Sequence, residues 1–309
     1  MRMPVIVPRL IGCVALCAVA SASARAQAPP SPQGPQCTAT RLVGTWERVS
    51  LLRNALSVQP PDAPLFVKFG ADGYWSMMEM PDDRPKVGKP LEQQTPKELW
   101  SRFAKVEGAQ GTWTIAADGS VVTRLHLANI AAGGENSKQD RSCIFESDIL
   151  ALIGTGANRS PQARFKRLPA NAMKSNALVG TWERTSIRVD GKDLQLPSEV
   201  VILGEDGWFS LTQLPTGRKP VGKPLEQYTA DDYAKTFGGV SAARGTYTVD
   251  GSSLALKHIA DVDPNRVGSD AVAEFSVQGS TMTLKGTAPS GAKIEARYQR
   301  LKPLEITAR

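Results

Sequence analysis

The sequence predicts an all-β protein of two tandem up-and-down antiparallel β-barrels, each with one short helix. Three observations predict it. A long block of the chain is written twice, each copy alternates apolar and polar residues in short runs, and Asp-Gly pairs separate those runs at matched places.

The repeat carries the architecture. Leu42-Val43-Gly44-Thr45-Trp46-Glu47-Arg48 returns unchanged as Leu178-Val179-Gly180-Thr181-Trp182-Glu183-Arg184. Val87-Gly88-Lys89-Pro90-Leu91-Glu92-Gln93 returns as Val221-Gly222-Lys223-Pro224-Leu225-Glu226-Gln227. In the same order, Asp72-Gly73 matches Asp206-Gly207, Gly111-Thr112-Trp113 matches Gly245-Thr246-Tyr247, and Ala163-Arg164-Phe165 matches Ala296-Arg297-Tyr298. A collinear unit of about 130 residues has the size of a domain and is too long for a solenoid repeat.

Inside each copy the period is two. Leu65-Phe66-Val67-Lys68-Phe69 and Glu199-Val200-Val201-Ile202-Leu203 read as strands. Asp72-Gly73, Asp118-Gly119, Asp206-Gly207 and Asp250-Gly251 read as hairpins of type I′, which needs positive φ at both central residues, and Gln278-Gly279 marks another. Thr95-Pro96-Lys97-Glu98 supplies an N-cap, a proline at the first helical position and a partial capping box leading into Leu99 to Val106. The matching helix starts at Thr229 and runs through Tyr233 to Phe237. Roughly eight short strands and one helix per copy suit a small closed barrel.

Composition sets the boundaries. Arg2 and Arg9 supply positive charge ahead of an uncharged apolar run from Leu10 to Ala20, and Ala24-Arg25-Ala26 offers the small-x-small pattern of signal-peptidase cleavage. Residues 1–26 therefore read as a secretory signal, and the mature protein as periplasmic or secreted. The apolar run is shorter than the roughly 20 residues of a membrane span, so no integral membrane segment is expected after cleavage. Residues 27–36, rich in Pro and Gln, read as a disordered leader. Residues 37–169 form barrel 1, 170–176 a linker, 177–303 barrel 2 and 304–309 a tail. The expected particle is a monomer with its two barrels packed together.

The chain carries 37 basic and 30 acidic residues, a formal charge of +7. Loss of Arg2, Arg9 and Arg25 with the signal leaves an excess of four, spread without a cluster. Nucleic acid is thereby disfavoured as a partner, because phosphate tracking gathers basic residues on one face. Cleavage also removes Cys13 and Cys17. The remaining Cys37 and Cys143 read as a disulfide in an oxidising compartment, contributing about 4 kcal/mol by loop closure.

On these residues each copy resembles the bacterial lipocalin-like domain. That domain opens with Gly-Thr-Trp and continues through an Asp-Gly hairpin, a short helix, a Gly-Thr-Trp or Gly-Thr-Tyr strand and a strand bearing a His. The resemblance covers nearly all of the mature chain. It implies that Trp46 and Trp182 plug the closed ends of their barrels beneath an arginine of the last strand, Arg164 or Arg167 in one and Arg297 or Arg300 in the other. It further implies a barrel mouth that holds one small apolar or amphipathic molecule, and no single activity.

The chain has two histidines, at the same place in each copy. Period-two counting puts Leu254, Leu256 and His258 on one inward face; around His126, Arg124 takes the place of Leu256. An inward imidazole orients a ligand, moves a proton, or is a satisfied core side chain. Arg48 and Arg184 follow their tryptophans by two residues and face inward with them. A buried guanidinium needs a counter-charge, from an anionic ligand or an internal Glu, unless it emerges at the rim. Trp75 and Trp208 read as core or pocket wall. The repeated Val-Gly-Lys-Pro-Leu-Glu-Gln block reads as a lid or contact surface, or as a loop whose Gly88 and Gly222 need positive φ.

Neither a nucleotide loop nor a catalytic triad nor a metal-ligand cluster stands in the sequence, so no catalytic residue, metal or cofactor is assigned. The expected function is binding of a small apolar or amphipathic molecule, anionic if Arg48 or Arg184 meets it, in one or both barrels. The alternatives are a hydratase-, hydrolase- or isomerase-type enzyme acting on an apolar substrate, and a non-catalytic interaction module of the envelope.

Overall fold

A computed structural model describes residues 37–53, 56–58, 63–130, 135–155, 162–171, 176–215, 217–288 and 290–306. The expected signal and leader, and residues 172–175 of the expected linker, lie outside the described residues.

The alternating runs form two closed antiparallel barrels in tandem. In the first, a one-turn helix α1 (Ala39–Leu42) leads into β1 (Gly44–Arg53), β2 (Leu56–Val58), β3 (Leu65–Phe69) and β4 (Tyr74–Glu79). Helix α2 (Pro96–Phe103) follows, then β5 (Glu107–Ile115), β6 (Val121–Asn129), β7 (Lys138–Glu146), β8 (Ile149–Gly154) and β9 (Gln162–Arg167). β2 is a short arm on β1; the other eight strands pair in chain order, and β9 returns to β1 to close the ring. The second barrel repeats this plan. Its strands are β10 (Gly180–Val189), the arm β11 (Lys192–Asp193), β12 (Glu199–Leu203) and β13 (Trp208–Gln213). Helix α3 (Ala230–Phe237) precedes β14 (Ser241–Asp250), β15 (Ser253–Asp261), β16 (Asp270–Gln278), β17 (Thr281–Thr287) and β18 (Lys293–Arg300), which pairs back onto β10.

Strand parity fills the barrels. Trp46, Val67, Trp75, Trp113, Val122, Phe145, Leu150 and Phe165 make the core of the first, and Trp182, Leu203, Phe209, Tyr247, Leu254, Met282 and Tyr298 that of the second. Each large side chain so buried contributes roughly 1.5–3 kcal/mol. Cys37 is joined to Cys143 on β7, which fastens the chain ahead of α1 to the barrel wall.

The turn chemistry differs from the expected type I′. At 72–73, 118–119, 206–207 and 250–251 only the glycine has positive φ (85°, 69°, 72° and 55°). In the first, Gly73 N–H donates to Gly70 O and Gly70 N–H to Tyr74 O; Gly207 and Gly204 repeat this with Trp208 O. Those two are type I turns closed by a left-handed glycine, a loop whose extra residue supplies the twist without a second positive φ. The turn with positive φ at both residues is Asp190-Gly191 (50° and 77°), joining β10 to its arm.

The two helices are capped as the sequence predicts. Thr95 and Thr229 each accept from the third helical N–H, while Glu98 and Asp232 accept from the cap N–H. α2 stops at Phe103, short of the expected Val106, because Lys105 turns left-handed (φ 59°).

Both barrels belong to one compact unit, and the seam between them is reciprocal. Phe103 of α2 stacks on Phe237 of α3, centroids 4.1 Å apart and planes 12° apart. Around them one apolar core draws Met78, Met80, Leu99 and Ile130 from barrel 1 and Leu214, Tyr233, Ala242 and Val262 from barrel 2. Arg84 donates to Asp261 O and Val262 O; its counterpart Arg218 donates to Asn129 O and Ile130 O. Asp206 accepts from Thr45 Oγ1 at 2.7 Å, and Asp72 accepts from Thr181 N–H at 2.7 Å. These contacts recur with the barrels exchanged, in the manner of an isologous two-fold interface written within one chain, although Asp206 meets a hydroxyl where Asp72 meets a backbone N–H. Beyond β18 the chain crosses back to barrel 1: Leu304 N–H donates to Asp72 O, and Ile306 O accepts from Ile115 N–H.

Candidate functional site

The Gly-Thr-Trp segment sets a buried tryptophan at the start of the first strand of each barrel. Trp46 Nε1 donates to Leu42 O at 2.8 Å, and Trp182 Nε1 to Leu178 O at 2.7 Å. Arg167 covers Trp46 at 4.2 Å from its ring centroid, and Arg300 covers Trp182 at 4.1 Å. Each guanidinium also donates to two carbonyls, of Val43 and Arg41 or of Val179 and Ala177. Gly44 and Gly180 sit at φ 132° and 135°, and a Cβ on either would collide with the arginine, so glycine is required there. Arg164 and Arg297 do not fill this role. They stand one residue out of phase with the inward Phe165 and Tyr298, so they face out and pair with Glu146 and Glu295.

Arg48 and Arg184 do face inward, and each meets an internal carboxylate. Arg48 is bidentate to Glu79 of β4 (2.6 and 3.1 Å) and donates to Ala63 O. Arg184 meets Glu199 of β12 at 2.9 Å and Gln213 of β13 at 2.7 Å. Glu79 and Gln213 occupy one position of the two copies, and Leu65 and Glu199 the adjacent one. The carboxylate has moved to the neighbouring strand and the ion pair is kept. Tyr298 donates to the other oxygen of Glu199 (2.6 Å); burial first, then that carboxylate, pushes its pKa well up.

Both histidines point into their barrels. His126 lies edge-on to Trp75, with Nδ1 3.1 Å from Asn129 Oδ1. His258 lies edge-on to Phe209, with Nδ1 2.8 Å from Asp261 Oδ2, which Arg266 Nε also meets at 3.2 Å. The carbonyls that Arg84 and Arg218 grip across the seam belong to these same segments, so each barrel pins the histidine neighbourhood of the other. Trp75 is a lumen residue, whereas Trp208 is not. Counting from Asp-Gly, Trp208 matches Tyr74 and Phe209 matches Trp75; Trp208 therefore faces out and donates to Pro169 O at 3.0 Å. Among the described residues no three His, Cys, Asp or Glu side chains are grouped to hold a metal ion.

The repeated loop works structurally. Lys89 pairs with Glu98 (2.9 Å) and Lys223 with Asp232 (2.6 Å), so the block locks onto the capping box of the helix that follows. Val87 O also accepts from Asn265 of barrel 2. Gly222 has positive φ (78°); Gly88 does not.

A cleft of about 730 Å³ opens where the strand starts at Gly44 and Gly180 and the turns at Asp72 and Asp206 approach each other. Phe69, Ile202, Leu203, Leu301, Pro303 and Ile306 contribute apolar walls, and Asp72, Arg167, Asp206 and Arg300 line it as well. Lys68 Nζ joins the barrels there, 2.8 Å from Asp206 and 3.0 Å from Thr45 Oγ1. Burial lowers the Lys68 pKa more than Asp206 raises it. Burial by itself would raise Asp206, but Lys68, Thr45 and the Trp208 N–H together hold its carboxyl below the usual range.

No family model and no curated protein matches the chain. Among solved structures it is similar to a lipocalin-like protein from Bacteroides uniformis, at 14% identity over 41% of this chain and 99% of that one, with TM-score 0.27. It is also similar to an uncharacterized protein from Saccharomyces cerevisiae, at 10% identity over 84% and 98%, TM-score 0.45. A redesigned β-barrel matches at 13% identity over 40% and 92%, TM-score 0.25.

Proposed function

We propose that the protein is an exported, non-catalytic binder of a small amphipathic molecule seated between its barrels. The cleft carries this reading. Its volume of about 730 Å³ falls within the roughly 300–1,000 Å³ of small-molecule sites, which favour junctions between folded units. Its apolar walls suit a hydrocarbon body, and the arginines and aspartates beside them suit a polar end. The signal-like N-terminus and the Cys37–Cys143 disulfide support export, since disulfides persist in oxidising compartments. No helix among the described residues is long and apolar enough to cross a membrane. The test is native purification from periplasm and mass spectrometry of what denaturation releases. A stoichiometric amphiphile, lost in Ile202→Glu, is the expected result; its retention in that variant removes the cleft as the site.

A second reading, an enzyme with a histidine as acid–base group, is favoured by the His258–Asp261 pair, in which a buried carboxylate fixes the ring tautomer. Any turnover found must fall in His258→Ala, or that reading ends.

A further inference from the structure

The lumens of the two barrels differ at one cluster of matched positions. On β6, Val122, Arg124 and His126 point inward, as Leu254, Leu256 and His258 do on β15. The cross-strand partners of Val122 and Arg124 are Arg141 and Gln139; those of Leu254 and Leu256 are Ala273 and Ala271. Arg124, Gln139 and Arg141 therefore stand where barrel 2 has Leu256, Ala271 and Ala273. Asn129 beside His126 likewise stands where His258 has Asp261. Barrel 1 gains two cations and lacks one anion on the same stretch of the barrel's inner face.

Among the described residues neither arginine is ion-paired with a carboxylate: Arg141 Nη1 donates to Asp140 O at 3.2 Å, with the Asp140 charge acting on it through space. Arg124 is only 7% exposed, lies 4.9 Å over the Trp75 ring and donates to the neutral Gln139 Oε1; its Nε has no partner. Burial, and then the neighbouring Arg141, bring its pKa down to about 10, with no carboxylate acting on it. Glu79, the inward carboxylate of β4, is already held by both Nη atoms of Arg48. His126 is 6% exposed and its Nε2 is also without a partner. A leucine at Arg124 satisfies the same strand in barrel 2, and a buried guanidinium without a counter-charge costs stability. Something must meet that charge when the lumen is filled.

We propose that the lumen of barrel 1 is an oxyanion site, in which a carboxylate, sulfate or phosphate group of a small molecule sits against Arg124, Arg141 and His126, with Trp75 as the wall. Arginine forks make short charge-assisted bonds to such groups. The exchange of Asp261 for Asn129 fits the same chemistry. An amide can turn its Nδ2 to donate to His126 Nδ1, which leaves the ring proton on Nε2, facing the anion; a carboxylate cannot. Barrel 2, with Leu256, Ala271 and Ala273, offers no such site. The inference stands apart from the cleft between the barrels.

The experiment is titration of the purified protein with decanoate, decyl sulfate, decanol and decyltrimethylammonium, read by calorimetry and tryptophan fluorescence. Decanoate and decyl sulfate are expected to bind at one site at least tenfold more tightly than decanol, with the cationic amphiphile weakest. Arg124→Leu with Arg141→Ala, which gives barrel 1 two of the three wall residues that differ in barrel 2, is expected to erase that preference while the protein stays folded. Arg141→Ala alone, on a half-buried residue, is expected to weaken decanoate several-fold and serves if the double variant does not fold. Ile202→Glu in the cleft is expected to leave decanoate binding unchanged. Equal binding of decanol and decanoate, or unchanged decanoate affinity in the arginine variants, overturns the inference. Decanoate binding lost only in Ile202→Glu overturns it too, while leaving the cleft reading standing. Inorganic phosphate and sulfate as competitors show whether the head group alone is recognised.

Discussion

Replacing Phe237 by Ala tests whether the two barrels are one cooperative unit. Phe237 and Phe103 are each 2% exposed, their rings are stacked, and Tyr233 lies 6.1 Å from Phe237 in the same layer. The surrounding side chains come from both barrels, so neither barrel can close over the missing ring by itself. Loss of a buried Phe costs about 3–5 kcal/mol, counting transfer and the cavity left behind. Part of that, about 0.5–1.5 kcal/mol, belongs to the aromatic pair and must appear as coupling. Urea unfolding, followed in parallel by tryptophan fluorescence and far-UV circular dichroism, measures both. The unaltered protein should unfold in one transition seen alike by both probes. Phe237→Ala and Phe103→Ala should each lower its stability by about 3–5 kcal/mol, and the double variant should fall short of additivity by the coupling energy. A cost under about 1 kcal/mol with strict additivity would refute the shared core.

Three further outcomes follow from particular contacts. Arg48→Met should cost about 3–5 kcal/mol in urea unfolding, because it leaves Glu79 without its partner, whereas Arg48→Met with Glu79→Met should be close to neutral. Joint replacement of Cys37 and Cys143 by Ser should cost about 4–5 kcal/mol, from a closed loop of separation 106; a reducing agent should reproduce the loss in the parent protein and change nothing in the variant. The Thr95 N–H first, then Lys89, holds the Glu98 pKa at about 2 against an ordinary 4.5. A depressed carboxylate contributes stability that is present above its unfolded pKa and lost as pH falls through the folded one. Urea midpoints should therefore decline between about pH 4.5 and 2, and less steeply in Glu98→Gln.

The missed seam residues had a signal in the sequence. Arg84 and Arg218 both lie three residues before the repeated Val-Gly-Lys-Pro block, so carrying the copy-to-copy match slightly further would have singled them out. Nothing local, though, says that their guanidinium groups reach carbonyls of the opposite barrel, 177 and 178 residues away for Arg84 and 88 and 89 for Arg218. The same holds for Trp208: the sequence pairs two tryptophans by type, while strand parity counted from Asp-Gly turns one into its barrel and the other outward.

What the sequence determined by itself is the unit: two copies, strands of period two, capped helices and a pair of cysteines. These follow from chain-local rules, since alternation, capping and turn signals act over a few residues and the repeat doubles each of them. The tertiary structure decided which arginine covers each tryptophan, which carboxylate meets Arg48 and Arg184, and how the helices join two barrels into one core. It also decided that Arg124 stands inside barrel 1 with the neutral Gln139, and no carboxylate, hydrogen-bonded to it. Those outcomes depend on β1 meeting β9 and β10 meeting β18, with register shifts between Arg48 and Ser50 and between Arg184 and Ser186. One shifted residue moves every later side chain to the other face of a strand, and no local pattern records where the shift falls.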